Sequence, residues 1–262
     1  MRSAWLLLLI FPLAAAAQLP RKEANDEAIM NRMAYVEGKV LVTNGAGPGE
    51  AAAKRRSLLL RRWGCENAVV GITSDADGKY SLGLYPGKYE ILGALADRSG
   101  TPTLLPSPGK AHSFELAINQ SLRFDVSLVP PEGGMPEDTP SQLNQHAARM
   151  AVLHGKVHIL NHPQLGKTPA NGQGVFLQKM DCERAVVMPR ADINGDYSIE
   201  LSAGRYRVFD RYGYVEGHTK DFLAPTQKRS FELKAGQTLQ FDIDLVIPKD
   251  VTPESPAGII SD

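Results

Sequence analysis

The chain has 262 residues, of which 43% are hydrophobic and 22% are charged, and its formal net charge at pH 7 is zero. A neutral chain has no overall attraction to nucleic acid or to an anionic membrane, so both partners are disfavoured. The 24 glycines and 18 prolines, with few apolar runs at helical spacing, predict many short strands joined by turns.

The first 17 residues have the features of a cleaved export signal. Arg2 provides a positive start, residues 5–13 are apolar, and residues 15–17 are three alanines that form a small-residue cleavage site. The apolar stretch is shorter than the about 20 residues that cross a bilayer, and no later segment reaches that length. We therefore expect cleavage after Ala17, no membrane span, and a secreted or periplasmic protein.

Alternation of apolar and polar residues predicts about seven strands in a first module, residues 32–130. In the last of these strands Leu122, Phe124, Val126 and Leu128 would point inward, and the residues between them would face water. The predicted strands lie near residues 35–42, 57–62, 68–73, 79–84, 88–95, 113–116 and 122–128. Seven strands in about 100 residues can form two packed antiparallel sheets.

A proline- and glycine-rich stretch at residues 131–148 follows the first module and predicts a semi-rigid linker. A second module occupies residues 149–247, and residues 248–262 resemble the linker in composition and predict a flexible tail.

The second module is a copy of the first, displaced by 117 residues without a gap. Roughly a third of the aligned positions are identical, which is far above chance. Aligned identities include Gly38-Lys39-Val40 with Gly155-Lys156-Val157, and Phe114-Glu115-Leu116 with Phe231-Glu232-Leu233. The chain is therefore predicted to be all-β, with two tandem seven-stranded antiparallel β-sandwiches joined by the linker.

The repeat also decides the structure of residues 50–63, which would form a helix by propensity alone. The equivalent segment contains Pro169, Gly172 and Gly174, which suit a loop followed by a strand. We expect a strand at residues 57–62 and at most one helical turn before it.

Several of these residues define a recognisable series. A Gly-x-Val first strand precedes an Asp-x-Asp/Asn-Gly turn, an aromatic residue follows two positions later, and then comes Gly87-x-Tyr89, or Gly204-x-Tyr206 in the second copy. This series resembles carboxypeptidase regulatory-like domains, which are transthyretin-like β-sandwiches grouped with carbohydrate-binding-like folds. The resemblance implies a non-catalytic accessory module of an extracytoplasmic protein.

No motif predicts a catalytic site, a cofactor or a metal site. Asp75, Asp77 and Gly78 look like the start of a calcium loop, but strand alternation follows directly, and Asx-Gly is the preferred chemistry of a tight hairpin turn. His154 and His158 lie four residues apart in a strand, about 13 Å, which is too far to bind one zinc ion.

The two cysteines, Cys65 and Cys182, occupy equivalent positions of the repeat. Four alternatives stay open: packed free thiols, a bridge between the modules, a bridge between chains, and a reactive thiol or metal ligand. Equivalent points of tandem modules usually lie a domain length apart, which argues against a bridge within the chain because a disulfide needs Cα atoms within about 7 Å.

Two further groups are candidate contacts for a ligand. Basic residues concentrate at 54–56 and 61–62 of the first module, where a solvated surface is the simpler interpretation and binding of an acidic polymer the alternative. Sugar binding would use exposed aromatic rings, and the candidates are Trp63, Tyr212 and Tyr214.

We therefore predict an exported, non-catalytic binding or structural protein whose partner is an unidentified protein or an extracellular polysaccharide. Carbohydrate binding through the exposed aromatic residues is the alternative, and a hydrolase with an unfamiliar site is a weaker one. Fold alone does not choose among ligands.

Overall fold

A computed structural model describes most of the two predicted modules. The described residues are Asp26 and residues 28–43, 50–95, 104–130, 138–162, 166–209, 211–215 and 218–246. Of these residues 57% are in β-strands and 5% are helical, which confirms the predicted all-β class. The predicted leader, the predicted tail and residues 131–137 of the predicted linker lie outside the described residues.

The strands described in the first module include all those that the alternation predicted. They are β1 (Ala34–Thr43), β2 (Glu50–Ala52), β3 (Ser57–Arg62), β4 (Val69–Thr73), β5 (Lys79–Leu84), β6 (Gly87–Leu95), β7 (Leu105–Pro106), β8 (Ser113–Leu116), β9 (Ser121–Arg123) and β10 (Val126–Val129). Residues 57–62 are a strand, as the repeat required, and a short strand and a turn stand before it.

The second module repeats this order, with two strands, Gly204–Val208 and Arg211–Val215, in the place of β6. A helix, α1 (Asp138–Ala147), comes before it. Its strands are β11 (Met150–His162), β12 (Gly166–Pro169), β13 (Leu177–Lys179), β14 (Val186–Met188), β15 (Asp196–Ser202), β16 (Gly204–Val208), β17 (Arg211–Val215), β18 (His218–Leu223), β19 (Ser230–Leu233), β20 (Thr238–Gln240) and β21 (Ile243–Val246).

The last predicted strand of the first module is divided into β9 and β10, and both pair with β1 in parallel rather than antiparallel orientation. At the break, Phe124 N donates to Glu37 O at 2.8 Å, and Lys39 N donates to a carboxylate oxygen of Asp125 at 2.9 Å. The Asp125 carboxylate thus takes the place of a main-chain carbonyl as the acceptor for Lys39 N, and the backbone hydrogen bonds between β1 and the last strand are interrupted there. The inward and outward alternation continues through the break, so the sequence pattern showed one strand.

Each of the two large sheets contains strands from both modules. One sheet has the order β19-β16-β13-β14-β5-β1-β10-β7, with β2 and β9 also paired to β1. The other has the order β17-β18-β21-β11-β15-β4-β3-β6-β8, with β12 and β20 also paired to β11. The sandwich layers therefore run without interruption from one module into the other.

Among the described residues, two antiparallel strand pairs join the modules, and they are equivalent under the 117-residue displacement. In the first pair, β4 with β15, Val70 lies opposite Leu201 and Gly71 lies opposite Glu200. In the second pair, β5 with β14, Leu84 lies opposite Val187 and Gly83 lies opposite Met188. The modules are consequently related by a pseudo-twofold axis that passes between these pairs. The sequence left their relative orientation open.

Polar contacts between the modules accompany this pairing. Ser57 Oγ donates to a carboxylate oxygen of Glu200 at 2.7 Å, and Ser202 Oγ donates to the carbonyl oxygen of Asn67 at 2.7 Å. Ahead of the predicted start of the first module, the fully buried Asp26 forms an ion pair with Arg207 of the second module, with N–O distances of 2.7 and 3.0 Å.

One apolar core runs through both modules, and a smaller one lies on the outer face of the β3–β4–β6 sheet. The smaller core contains Leu59, Val69 and Leu105 with Leu143 of α1 and Met150. The linker prediction is therefore corrected for residues 138–147, which form a helix with a buried leucine. Pro140 lies near the start of α1, where a missing N–H costs little.

Gly38 and its equivalent Gly155 provide a test of the shared fold. A Cβ atom at either position would overlap the carbonyl oxygen of Phe124 or of Phe241, at the break between the last two strands. We expect Gly38→Ala and Gly155→Ala each to lower the free energy of unfolding by about 2–3 kcal/mol, measured by denaturant titration.

Gly109→Ala is the control for this pair, because a Cβ atom there meets no atom within 4 Å and only its positive φ opposes the change. Its cost should stay near 1 kcal/mol. Unequal costs at Gly38 and Gly155 would contradict the equivalence of the two modules.

Candidate functional site at the disulfide axis

A disulfide joins Cys65 to Cys182, with their Cα atoms 6.2 Å apart. Each cysteine lies in a short turn, between β3 and β4 in one module and between β13 and β14 in the other. Because the two residues are equivalent in the repeat, the bond lies on the pseudo-twofold axis. The expectation that equivalent points lie a domain length apart fails here, because the modules pair side by side and bring these turns together.

The two cysteine turns form the walls of a cleft of about 520 Å³. Nearly every lining position of one module is matched by its equivalent in the other. The lining residues are Arg62, Trp63, Gly64, Cys65, Glu66, Asn67 and Ala68 of the first module, and Lys179, Asp181, Cys182, Glu183 and Arg184 of the second. Neither module alone would form this cleft.

Two buried cations, Arg62 and Lys179, lie at equivalent positions of the cleft, and their side chains are removed from solvent. Arg62 donates to the carbonyl oxygens of Tyr85 and Pro86 at 3.0 and 2.7 Å. Lys179 Nζ donates to the carbonyl oxygen of Ala203 at 2.7 Å, the equivalent of Pro86. Each cation thus closes the hairpin turn that follows β5 or β15.

The Gly-x-Tyr series quoted from the sequence makes room for these cations. A Cβ atom at Gly87 would meet the Arg62 guanidinium, and one at Gly204 would overlap Lys179 Nζ. The ring of Tyr89 lies 5.3 Å from the Arg62 guanidinium carbon, and that of Tyr206 lies 5.1 Å from Lys179 Nζ, both within cation–π range. Sequence reasoning missed this pair, although both copies carry a cation at this position.

Trp63 is 52% exposed and lies at the rim of the cleft, and its equivalent Met180 is 47% exposed. Lys88 Nζ lies 3.9 Å from the centre of the Trp63 ring and covers one of its faces. The ring is therefore a surface group at the cleft and is not part of either apolar core.

Tyr212 and Tyr214 lie in β17, and only their backbone is described. Five strands of the sheet separate β17 from β3, and Trp63 directly follows β3 in the chain. The structure therefore does not bring the three predicted aromatic contacts together on adjacent strands.

The predicted calcium-like segment is a hairpin turn. One Asp75 carboxylate oxygen accepts hydrogen bonds from Asp77 N and Lys79 N, both at 2.8 Å. Asp192 does the same for Asn194 N and Asp196 N. Donation from the Lys79 backbone lowers the pKa of Asp75. Among the described residues, no group of three His, Cys, Asp or Glu side chains could hold a metal ion.

The basic residues of the first module do not form one solvated patch. Arg61 is paired with Glu66 at 3.0 Å and with Glu90 at 2.5 Å, and Arg62 is buried. His154 and His158 are half-buried on the central strand β11, and His158 Nδ1 lies 3.3 Å from Asp244 Oδ1.

Two larger cavities lie elsewhere among the described residues. One of about 690 Å³ lies at the opposite end of β4 and is again lined by equivalent residues of both modules, including Ser81 and Ser198. Another of about 640 Å³ lies in the first module, between α1 and the loop that precedes β8. The cleft at the disulfide differs from both because it contains Trp63, a predicted aromatic contact, and two buried charges.

No protein-family model matches the chain, and no curated protein sequence matches it. Among solved structures, the Bacillus anthracis TIE protein is similar with a TM-score of 0.28 and 11% identity, over 82% of this chain and 34% of that one. The chain thus spans about a third of that protein.

Two pilins are similar as well. The minor pilin GBS52 of Streptococcus agalactiae has a TM-score of 0.26 and 10% identity, over 86% of this chain and 99% of that one. The major pilin subunit BcpA of Bacillus cereus has a TM-score of 0.25 and 10% identity, over 82% and 99%. Scores of this size do not bear on function, which must be argued from the cleft. Within the described residues, no helix is long and apolar enough to cross a membrane.

The disulfide closes a loop of 117 residues, so its removal should be costly. The bond restricts the conformations of the unfolded chain, and its removal restores that chain entropy. Cys65→Ala should therefore lower the free energy of unfolding by about 3–5 kcal/mol. Denaturant titration measures this change. Reducing agent should bring the parent protein to the level of the Cys65→Ala, Cys182→Ala double variant and leave that variant unchanged. Equal stabilities with and without reductant would argue against the bond.

Buried tyrosines predict a loss of stability at high pH. Burial raises the pKa of Tyr89 to about 12 and also raises the pKa values of Tyr80, Tyr197 and Tyr206. The folded state therefore keeps protons that the unfolded chain loses above its ordinary pKa near 10.

Stability should be complete below about pH 10 and fall as the pH rises towards 12, by up to about 1.4 kcal/mol per pH unit for each tyrosine. Denaturant titrations at about every half pH unit between pH 9 and pH 12 would measure the slope of the free energy of unfolding against pH. Tyr89→Phe should reduce it, and an unchanged slope would contradict the role of burial.

Proposed function

We propose that this chain is an exported, non-catalytic binding protein whose two modules act as one rigid body, and that the cleft at the disulfide is its binding site. The observation that carries the proposal is that equivalent turns of both modules build the cleft and are held together by the Cys65–Cys182 bond. A site of about 520 Å³ is within the range of ligand pockets, about 300–1,000 Å³.

The chemistry of the cleft supports binding rather than catalysis. Arg62 and Lys179 donate to the carbonyls of hairpin turns, and Glu66 is paired with Arg61. These groups hold the walls of the cleft in place. A site for nucleophilic catalysis would instead place a nucleophile within hydrogen-bond reach of a base.

The disulfide supports export. Disulfides persist in oxidising compartments outside the cytoplasm and are rare inside it. The bond therefore favours export independently of the predicted leader. Within this proposal each half is a carboxypeptidase regulatory-like module, supported by the Gly-x-Tyr series whose glycine accommodates the buried cation.

Carbohydrate is the ligand class that one observation favours. Trp63 is half-exposed at the rim of the cleft, and the apolar faces of sugars stack on aromatic rings. The site differs from the sequence-based hypothesis because Trp63 lines the cleft, whereas the backbone of Tyr212 and Tyr214 lies in β17, which five strands separate from β3.

Trp63→Ala tests the binding role. Because the ring is half-exposed, the free energy of unfolding should change by less than about 1 kcal/mol. Binding to the responsive members of an array of neutral and acidic oligosaccharides should weaken at least about tenfold. Ile193→Ala is the matched control, since Ile193 is 75% exposed at a turn away from the cleft. An array with no response, or equal responses from both variants, would count against carbohydrate binding at this site.

A further inference from the structure

The floor of the cleft holds two positive charges that the fold places in low-dielectric surroundings. The side chain of Arg62 is 7% exposed and that of Lys179 is 2% exposed. Both also line a small apolar gap beneath the cleft, together with valines and tyrosines of the two modules. The two cations therefore share one confined region on the pseudo-twofold axis.

Neither cation has a carboxylate at hydrogen-bond distance among the described residues. The partners of Arg62 are three neutral oxygens: two carbonyls and the hydroxyl of Tyr89 at 2.7 Å. The partner of Lys179 is the carbonyl of Ala203, and its nearest carboxylate is that of Asp181 at 3.8 Å, which is 61% exposed. The carboxylate of Glu66, also in the cleft, is held by Arg61.

Closure of the hairpin turns does not explain the charges. A neutral donor could bond the same carbonyl oxygens, whereas burying a cation with no carboxylate at hydrogen-bond distance costs several kcal/mol. The tyrosine rings beside both cations and the exposed Asp181 carboxylate at 3.8 Å from Lys179 offset only part of this cost. Two like charges in one region increase that cost. The burial of Lys179 is reflected in its pKa, which is lowered by desolvation.

We infer that the cleft binds an acidic saccharide, with a carboxylate of the sugar contacted by Arg62 and Lys179 and the sugar ring placed against Trp63. This inference rests on the proposed function and specifies the ligand. The planar guanidinium and the ammonium both have donor hydrogens suited to an oxyanion, and charge-assisted hydrogen bonds are about twice as strong as neutral ones. Lys88, over the Trp63 ring, adds positive charge at the rim.

The test is titration of the exported chain with an oligogalacturonide and with its methyl ester, which removes the charge but keeps the sugar rings. Trp63 provides the signal, because Trp5 belongs to the predicted leader and no other tryptophan is present. We expect the acid to change Trp63 emission saturably and the ester to bind at least about tenfold more weakly.

Substitutions at Lys179 and Arg62 locate the charge requirement. Lys179→Gln can still donate to the Ala203 carbonyl and should weaken binding of the acid at least about tenfold, whereas Lys179→Arg should retain it. Lys39→Gln removes an exposed positive charge outside the cleft and controls for net charge. Arg62→Gln is a second test. If Arg62→Gln does not fold, the result for Lys179→Gln decides.

Equal affinity for acid and ester would overturn the inference and leave carbohydrate binding in the cleft intact. Equal affinity of the parent protein and Lys179→Gln would also overturn it, as would absence of binding by the acid. An acidic peptide that binds more tightly than the acid would overturn the saccharide assignment. The array experiment with Trp63→Ala tests the proposed function separately.

Discussion

The structure depends on the pairing of two sheet edges across a pseudo-twofold axis. An unpaired edge strand exposes a row of N–H and C=O groups to other chains. Here β4 of the first module pairs with β15 of the second, and β5 pairs with β14, so each module covers edges of the other. Gly71 faces Glu200 and Gly83 faces Met188, and the absence of a side chain on one partner allows the close approach. The duplicated chain thereby reproduces the geometry of a symmetric dimer within one polypeptide.

The other features of the cleft follow from this pairing. Because β3 and β13 end near the axis, the turns after them meet there, and the cysteines they carry come within bonding distance. The same geometry brings Arg62 and Lys179 into one confined region. A residue that would be solitary in a single module acquires its equivalent as a neighbour. This doubling creates both the disulfide and the concentration of positive charge.

Much of the fold could be predicted from the sequence because alternation and repetition are local or nearly local signals. Strands such as 57–62 and 79–84 were predicted with their observed limits. The division between β9 and β10 was not, since it depends on a hydrogen bond from Lys39 to the Asp125 carboxylate that leaves the alternation intact. The pairing of modules, the burial of Leu143 in α1 and the pair of buried cations all depend on contacts distant in sequence. Trp63 was identified by its type, but its position on the cleft required the structure.

The central claim is that the two modules form one continuous pair of sheets. Nuclear Overhauser effects between backbone protons of Val70 and Leu201, and between those of Leu84 and Val187, test it most directly. The structure predicts both sets, together with slow exchange of the Tyr85 amide, which donates to the Val186 carbonyl at 3.1 Å. Absence of both sets, with rapid amide exchange along β4 and β14, would show that the modules are separate and would contradict the account.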